Sequence, residues 1–188
     1  MADGQDSPQP KRPPQLQMLL CEAVIDDPPA VRVPDGYLMR QYRPDDEAEY
    51  LRLMHSAGFT GFDGAQVARL LESTLPDGFF VVEHKSTAAL VATAFARHRP
   101  TELHPFGGEL SFVATDPDHR GKGLGTAVSA AVIRRFVEAG YRRIYLLTDD
   151  WRLPAIKIYL RLGFEPMQHC EGMAERWDKV LEELGWRQ

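Results

Sequence analysis

Cysteine is scarce in this chain. Only Cys21 and Cys170 carry a thiol, far apart and without metal-ligand spacing. A disulfide framework and a thiolate zinc site are therefore excluded. Six scattered histidines form no pair at ligand spacing either, so no metal is expected. Basic residues are outnumbered by acidic ones, 22 to 27, for a net charge of −5. That balance gives no case for nucleic acid or an anionic membrane surface as partner. No apolar run approaches the roughly 18 residues of a membrane span. The opening MADGQDSPQPKRPP lacks the apolar core of a signal peptide, so a cytoplasmic protein is expected. No internal repeat is visible.

Proline, by contrast, crowds the start of the chain, in SPQPKRPPQLQ and DDPPAVRVPDG. We read residues 1–35 as a Pro-rich tail or arm. Such a stretch cannot form a regular helix or a central strand, although its apolar piece Met18 to Val24 can dock on the rest. Residues 36–188 are long enough for one domain with a real core.

Periodicity orders that domain. YLMRQYRP reads as a strand. Two helices follow, one with Tyr50, Leu53, Met54 and Ala57 on a face, one with Val67, Leu70 and Leu71 inward. GFFVVEHKS and AALVATAFARH form a hairpin, GELSFVATDP a further strand, and a long helix starts near Leu124. YRRIYLLTDD (strand), LPAIKIYLRLGF (helix) and FEPMQHC (strand) come next, before a C-terminal helix with Met173, Ala174, Trp177, Val180, Leu181 and Leu184 on one face. The expectation is a mixed sheet with helices on both faces.

The motif that carries chemistry is FVATDPDHRGKGLGTAV. Gly121, Gly123 and Gly125 alternate beside Arg120 and Lys122 where the long helix opens. Glycine costs folding entropy there, so a close approach to the backbone is implied. A glycine loop at a helix start is an anion site, because free amides and the dipole's positive end converge. The P-loop pattern fails because Gly123, not Ser or Thr, follows Lys122. The dinucleotide pattern fails because its third glycine would fall on Thr126 or Val128.

What remains, Arg120 to Gly125 as R-x-x-G-x-G, resembles the pyrophosphate loop of the GCN5-related N-acetyltransferases, the GNAT superfamily. About 30 residues on, AIKIYLRLGF (Ala155 to Phe164) resembles that family's A-x-x-x-Y-x-x-x-G-F element. The resemblance is specific from Glu109 to Pro166 and diffuse from Gly36 to His98. It implies an α/β (α+β) fold: a GNAT-like mixed, mostly antiparallel central sheet flanked by helices, here with an added C-terminal helix. It implies acetyl-CoA as co-substrate, held by Val113, Ala114 and Thr115 along the pantetheine arm. Arg120, Gly121, Lys122, Gly123, Leu124, Gly125 and Thr126 would hold the pyrophosphate.

The implied reaction is direct acetyl transfer to a primary amine of a small molecule or protein. Tyr159 would be the general acid on the leaving thiolate, and Glu109, opening its strand, the general base. The backbone N–H of Val113 would polarise the thioester carbonyl. His119, His98, His104, Phe59 and Phe62 are lesser candidates around the site. A non-catalytic acyl-CoA-binding module is the alternative, and a homodimer is allowed. Two departures stand out: Arg152 replaces the asparagine often found three residues before the motif alanine, and the usual seventh strand has no counterpart.

Overall fold

The computed structural model describes residues 13–186. Every expected element of the domain is present and in the expected order. They are β2 (Tyr37–Gln41), α2 (Glu47–Ser56), α3 (Gly64–Ser73), β3 (Thr74–His84), β4 (Leu90–His98), β5 (Gly108–Thr115), α4 (Leu124–Glu138), β6 (Ile144–Thr148), α5 (Leu153–Arg161), β7 (Phe164–Met167) and α6 (Met173–Glu183). Two more elements precede them, β1 (Leu16–Leu20) and the short α1 (Glu22–Asp26).

All seven strands form one sheet in the order β2-β3-β4-β5-β6-β1-β7. Every pair is antiparallel except β5–β6. β1 corrects two sequence expectations together. The arm was held unable to supply a central strand, and the seventh strand had no counterpart. Residues 16–20 are that seventh strand, inserted between β6 and β7. The prolines stop just short of it, so its ladder is intact. Leu16, Met18 and Leu20 alternate into the core at 3% exposure or less, which fixes the register, since a one-residue slip would bury Gln17 instead. Residues 1–12 of the expected tail lie outside the described residues.

The core is double. One cluster joins α4, α5 and α6 to the sheet through residues such as Val132, Phe136, Ile156 and Trp177. The other packs α2 and α3 on the opposite face through Tyr50, Leu53, Met54, Val67 and Leu70. α4 is buried nearly all round, Ser129 included. Leu71 was expected inward with Val67 and Leu70, but it is exposed because α3 turns only a narrow stripe to the sheet. Ala174 of α6 likewise faces solvent, while Met173, Trp177 and Val180 are buried.

Gly163 closes α5 at φ +86°, as its C-terminal position in the motif suggests. A Cβ there would also run into Val24 of α1. The amide of Cys21 donates to the Gly163 carbonyl at 2.9 Å, so the N-terminal segment is fastened onto the motif helix.

Candidate active site

The parallel ladder between β5 and β6 is brief: Gly108 pairs with Ile144, Glu109 with Tyr145, and there it ends. Past that point the strands part, and the β6-facing edge of Leu110–Thr115 is left without a ladder partner. A bulge accentuates the split. Thr93 and Phe95 of β4 pair with Ala114 and Ser111, so Phe112 and Val113 stand opposite the single residue Ala94. Phe112 is forced to φ +50°, a costly conformation for an aromatic residue. The rings of Phe59, Phe62 and Phe95, 5.3 to 6.1 Å from its own, hold it there. Between the parted strands lies a cleft of roughly 180 Å³.

At the C-terminal end of β5 the chain makes a 3-10 turn (Pro117–His119) and enters the glycine loop. Gly121 and Gly123 adopt φ +74° and +82°, and no protein atom lies within 4 Å of where a Cβ would be. These two glycines are therefore demanded by backbone conformation, not by crowding within the protein. Gly125 differs: its Cβ position is 3.2 Å from the Ile158 side chain, so it lets α4 and α5 close together. Among the described residues, the six amides from Gly121 to Thr126 donate to no protein acceptor, whereas the flanking Arg120 and Ala127 amides do. Six free donors at the start of a 15-residue helix are an anion cradle.

Tyr159 and Glu109 both line the cleft. Burial raises the Tyr159 pKa, with Arg152 pulling weakly the other way, so the phenol stays protonated at neutral pH. Its hydroxyl makes no hydrogen bond to the protein among the described residues. Glu109 is 5% exposed; its Oε2 accepts from Arg99 Nη1 at 2.7 Å, and its Oε1 accepts nothing from the described residues. Two hydroxyls lining the same cleft, Ser111 Oγ and Thr148 Oγ1, are buried without a partner. Val113 lines the cleft too, and Ala114 and Thr115 continue its strand toward the glycine loop.

The lesser candidates divide. Phe59 borders the cleft, but Phe62 is buried in the α2–α3 core. His119 is bound to Tyr37 (Nδ1 to Oη, 2.8 Å) beside the loop, and His98 to Tyr141 at 2.7 Å. His104 does not face the cleft. It is buried, stacked 3.9 Å over Tyr145, with Nδ1 accepting from Arg143 and Nε2 set to donate to Gln17 of β1. Its pKa is lowered to about 4 by burial and by Arg143.

Arg152 occupies the N-cap of α5, where the asparagine was expected, and lines the cleft with its guanidinium over the rings of Trp151 (4.5 Å) and Phe59 (5.2 Å). Sequence reasoning missed Arg97 and Arg99. Counting back across the β4–β5 hairpin would have set Arg97 opposite Glu109, as observed. Among the described residues, no group of His, Cys, Asp and Glu can hold a metal ion, and no helix is long and apolar enough to cross a membrane.

Comparison with known proteins agrees with this geometry. The model of the acetyltransferase (GNAT) family matches residues 38–164. A mycothiol acetyltransferase from Saccharomonospora viridis is 26% identical over 166 residues, covering 82% of this chain and 54% of that protein. The chain thus spans about half the length of the curated relatives it matches. A GCN5-related N-acetyltransferase from Sphaerobacter thermophilus superposes with a TM-score of 0.64 at 20% identity, covering 82% of this chain and 50% of the other. AAC(6')-Iy, solved with the bisubstrate analogue CoA-S-monomethyl-acetylneamine, superposes at 0.57 and 19% identity over 71% of this chain and 94% of its own. A loop of free amides, a parted β5–β6 pair and a matching family model over two thirds of the sequence lead to one assignment: the chain belongs to the acetyltransferase (GNAT) family.

Proposed function

We propose that the protein transfers the acetyl group of acetyl-CoA directly to a primary amine, a small-molecule amine in preference to a protein lysine. The observation that carries this is the continuity of two features on one strand: the donor-rich loop of Gly121–Thr126 and the cleft holding Tyr159 and Glu109. The loop amides with Arg120 and Lys122 bind the pyrophosphate. The pantetheine arm lies along the unpaired edge of Val113, Ala114 and Thr115, completing the ladder that β6 abandons. The name of the relatives, mycothiol acetyltransferase, favours a small acceptor.

The amine nitrogen attacks the thioester carbonyl carbon while the Val113 N–H steadies the developing oxyanion. Glu109 Oε1 takes the amine's proton, directly or through a water. The C–S bond breaks, and the departing thiolate receives the Tyr159 proton. The products are the N-acetyl amide and free coenzyme A. No covalent enzyme intermediate is needed when both substrates are held together.

The test is an amine panel with acetyl-CoA, scored by mass of the acetylated product. Tyr159→Phe keeps the ring and loses the proton. It should bind acetyl-CoA normally and turn over about 10²- to 10⁴-fold more slowly. Unchanged turnover would remove Tyr159 from the mechanism. Acetyl-CoA binding with no product from any amine would favour the non-catalytic module.

A further inference from the structure

Three guanidinium groups line the cleft, and only two carboxylates do. Arg99 is paired with Glu109 at 2.7 Å, and Arg152 with Asp149 at 3.0 Å. Arg97 is left over. Its Nε donates to Ser73 Oγ at 2.9 Å, and among the described residues no carboxylate reaches it. It is half-buried; burial pulls its pKa below the ordinary arginine value, with the Glu109 charge across the strand pair pulling the other way and Arg99 adding to the fall. A partly desolvated cation whose nearest carboxylate, Glu109, is already bonded to Arg99 leaves the cleft one positive charge in excess, which is costly unless something else supplies an anion.

That missing anion is not the pyrophosphate of acetyl-CoA. Arg97 lies directly across from Glu109 at the N-terminal end of β5, whereas the glycine loop follows its C-terminal end at Thr115. Six residues of extended chain separate the two by about 20 Å. The charge at Arg97 therefore belongs to the other substrate.

We propose that Arg97, flanked by Arg99, is a subsite for an anionic group, carboxylate or phosphate, that the acceptor carries close to its amine. This rests on the transferase reading above. A guanidinium presents its terminal N–H pairs in a fixed fork that matches either anion bidentately. Cross-strand neighbours stand about 5 Å apart at Cβ. An acceptor with its ammonium on Glu109 Oε1 and its anion on Arg97 thus has the two groups only a few bonds apart. The substrate class is a zwitterionic amine, such as an amino acid or an amino-alkyl phosphate. The hydroxyls of Ser111 and Thr148, on β5 and β6 of the same cleft, are buried without a partner among the described residues.

The experiment follows the arginine Nε–H resonances of the ¹⁵N-labelled protein, with desulfo-coenzyme A occupying the glycine loop. β-Alanine and O-phosphoethanolamine are titrated as probes, with β-alaninamide and ethanolamine as counterparts that keep the ammonium and lack the anionic group. The Arg97 resonance should shift saturably with at least one anionic probe and with neither counterpart, and the tighter of the two identifies the anion. Arg97→Gln should weaken that probe's binding about tenfold, or about 1.4 kcal/mol, leaving desulfo-coenzyme A affinity unchanged. Arg97→Lys, which keeps charge without the fork, should fall between. Equal response to probes with and without the anionic group, or an Arg97 resonance indifferent to both anions, would overturn the proposal. Failure of desulfo-coenzyme A to bind would count against the transferase reading alone, because the Arg97 resonance reports its subsite directly.

Discussion

At its C-terminal end β5 runs into a loop that offers free backbone amides, the groups proposed to hold the pyrophosphate. At its N-terminal end and along the cleft the groups are side chains delivered by separate elements: Arg97 from β4 and Arg99 from the loop beyond it opposite Glu109, then Phe59 from the turn between α2 and α3 and Arg152 from the N-cap of α5 beside Phe112. A backbone site is written in short, contiguous sequence, because a positive φ and a helix start leave a glycine pattern. A side-chain site is written in pieces whose meaning depends on what folding brings together. One end of the strand can therefore stay fixed while the other is rebuilt for a new acceptor.

The sharpest way to break that contrast is at the loop. Gly123→Val places a β-branched residue at φ +82°, where even a single Cβ costs about 1–2 kcal/mol, and disturbs the helix start. Affinity for coenzyme A should fall by about 100-fold or more, measured by calorimetry. Gly125→Ala meets only the flexible end of Ile158 and should cost a few-fold at most. Equal losses in the two would mean that the amides are not the recognition groups.

Next comes Glu109→Gln, which keeps the shape and removes the base. Turnover should drop by about 10²-fold near neutrality, a usual size for a lost general base. The deficit should shrink as pH rises, because the amine then loses its proton unaided. A deficit independent of pH would make Glu109 a mere partner for Arg99.

The smallest effect lies outside the cleft. His104 has its pKa depressed to about 4 in the folded protein, against about 6.5 when unfolded. The unfolded chain binds that proton more readily between those values, so its contribution is fully present above pH 6.5 and is lost as pH falls toward 4. The loss should be no more than about 3 kcal/mol. Urea midpoints across that range should show a shallower pH slope in His104→Gln, with activity at pH 7.5 little altered.

Sequence reading served the two ends of β5 unequally, for the same reason. The glycine hexad and the Ala155–Phe164 helix were legible because their physics is local: φ, capping and helical spacing. Glu109 and Tyr159 followed from the resemblance, and the structure brings both to one cleft. Arg97 looked like an ordinary strand residue, since nothing nearby in sequence tells that its guanidinium lacks a carboxylate. Leu71 was misplaced because the width of a helix's buried stripe depends on what it packs against. β1 was overlooked because five residues among prolines carry little periodicity, and the partners that justify a strand there are about 130 residues away.

That separation has a consequence for how the chain is made. Leu16–Leu20 leaves the ribosome well before its neighbours, β6 and β7. At about 5–20 residues per second, the segment waits on the order of ten seconds for them. Throughout that interval LQMLL is an apolar strand with both edges open, flanked by prolines that discourage it from recruiting another chain's edge. Completion of the sheet is thus a late, long-range event, and loop closure makes such events slow. A nascent chain from which Ile144 has not yet emerged would hold its first strand still unclaimed.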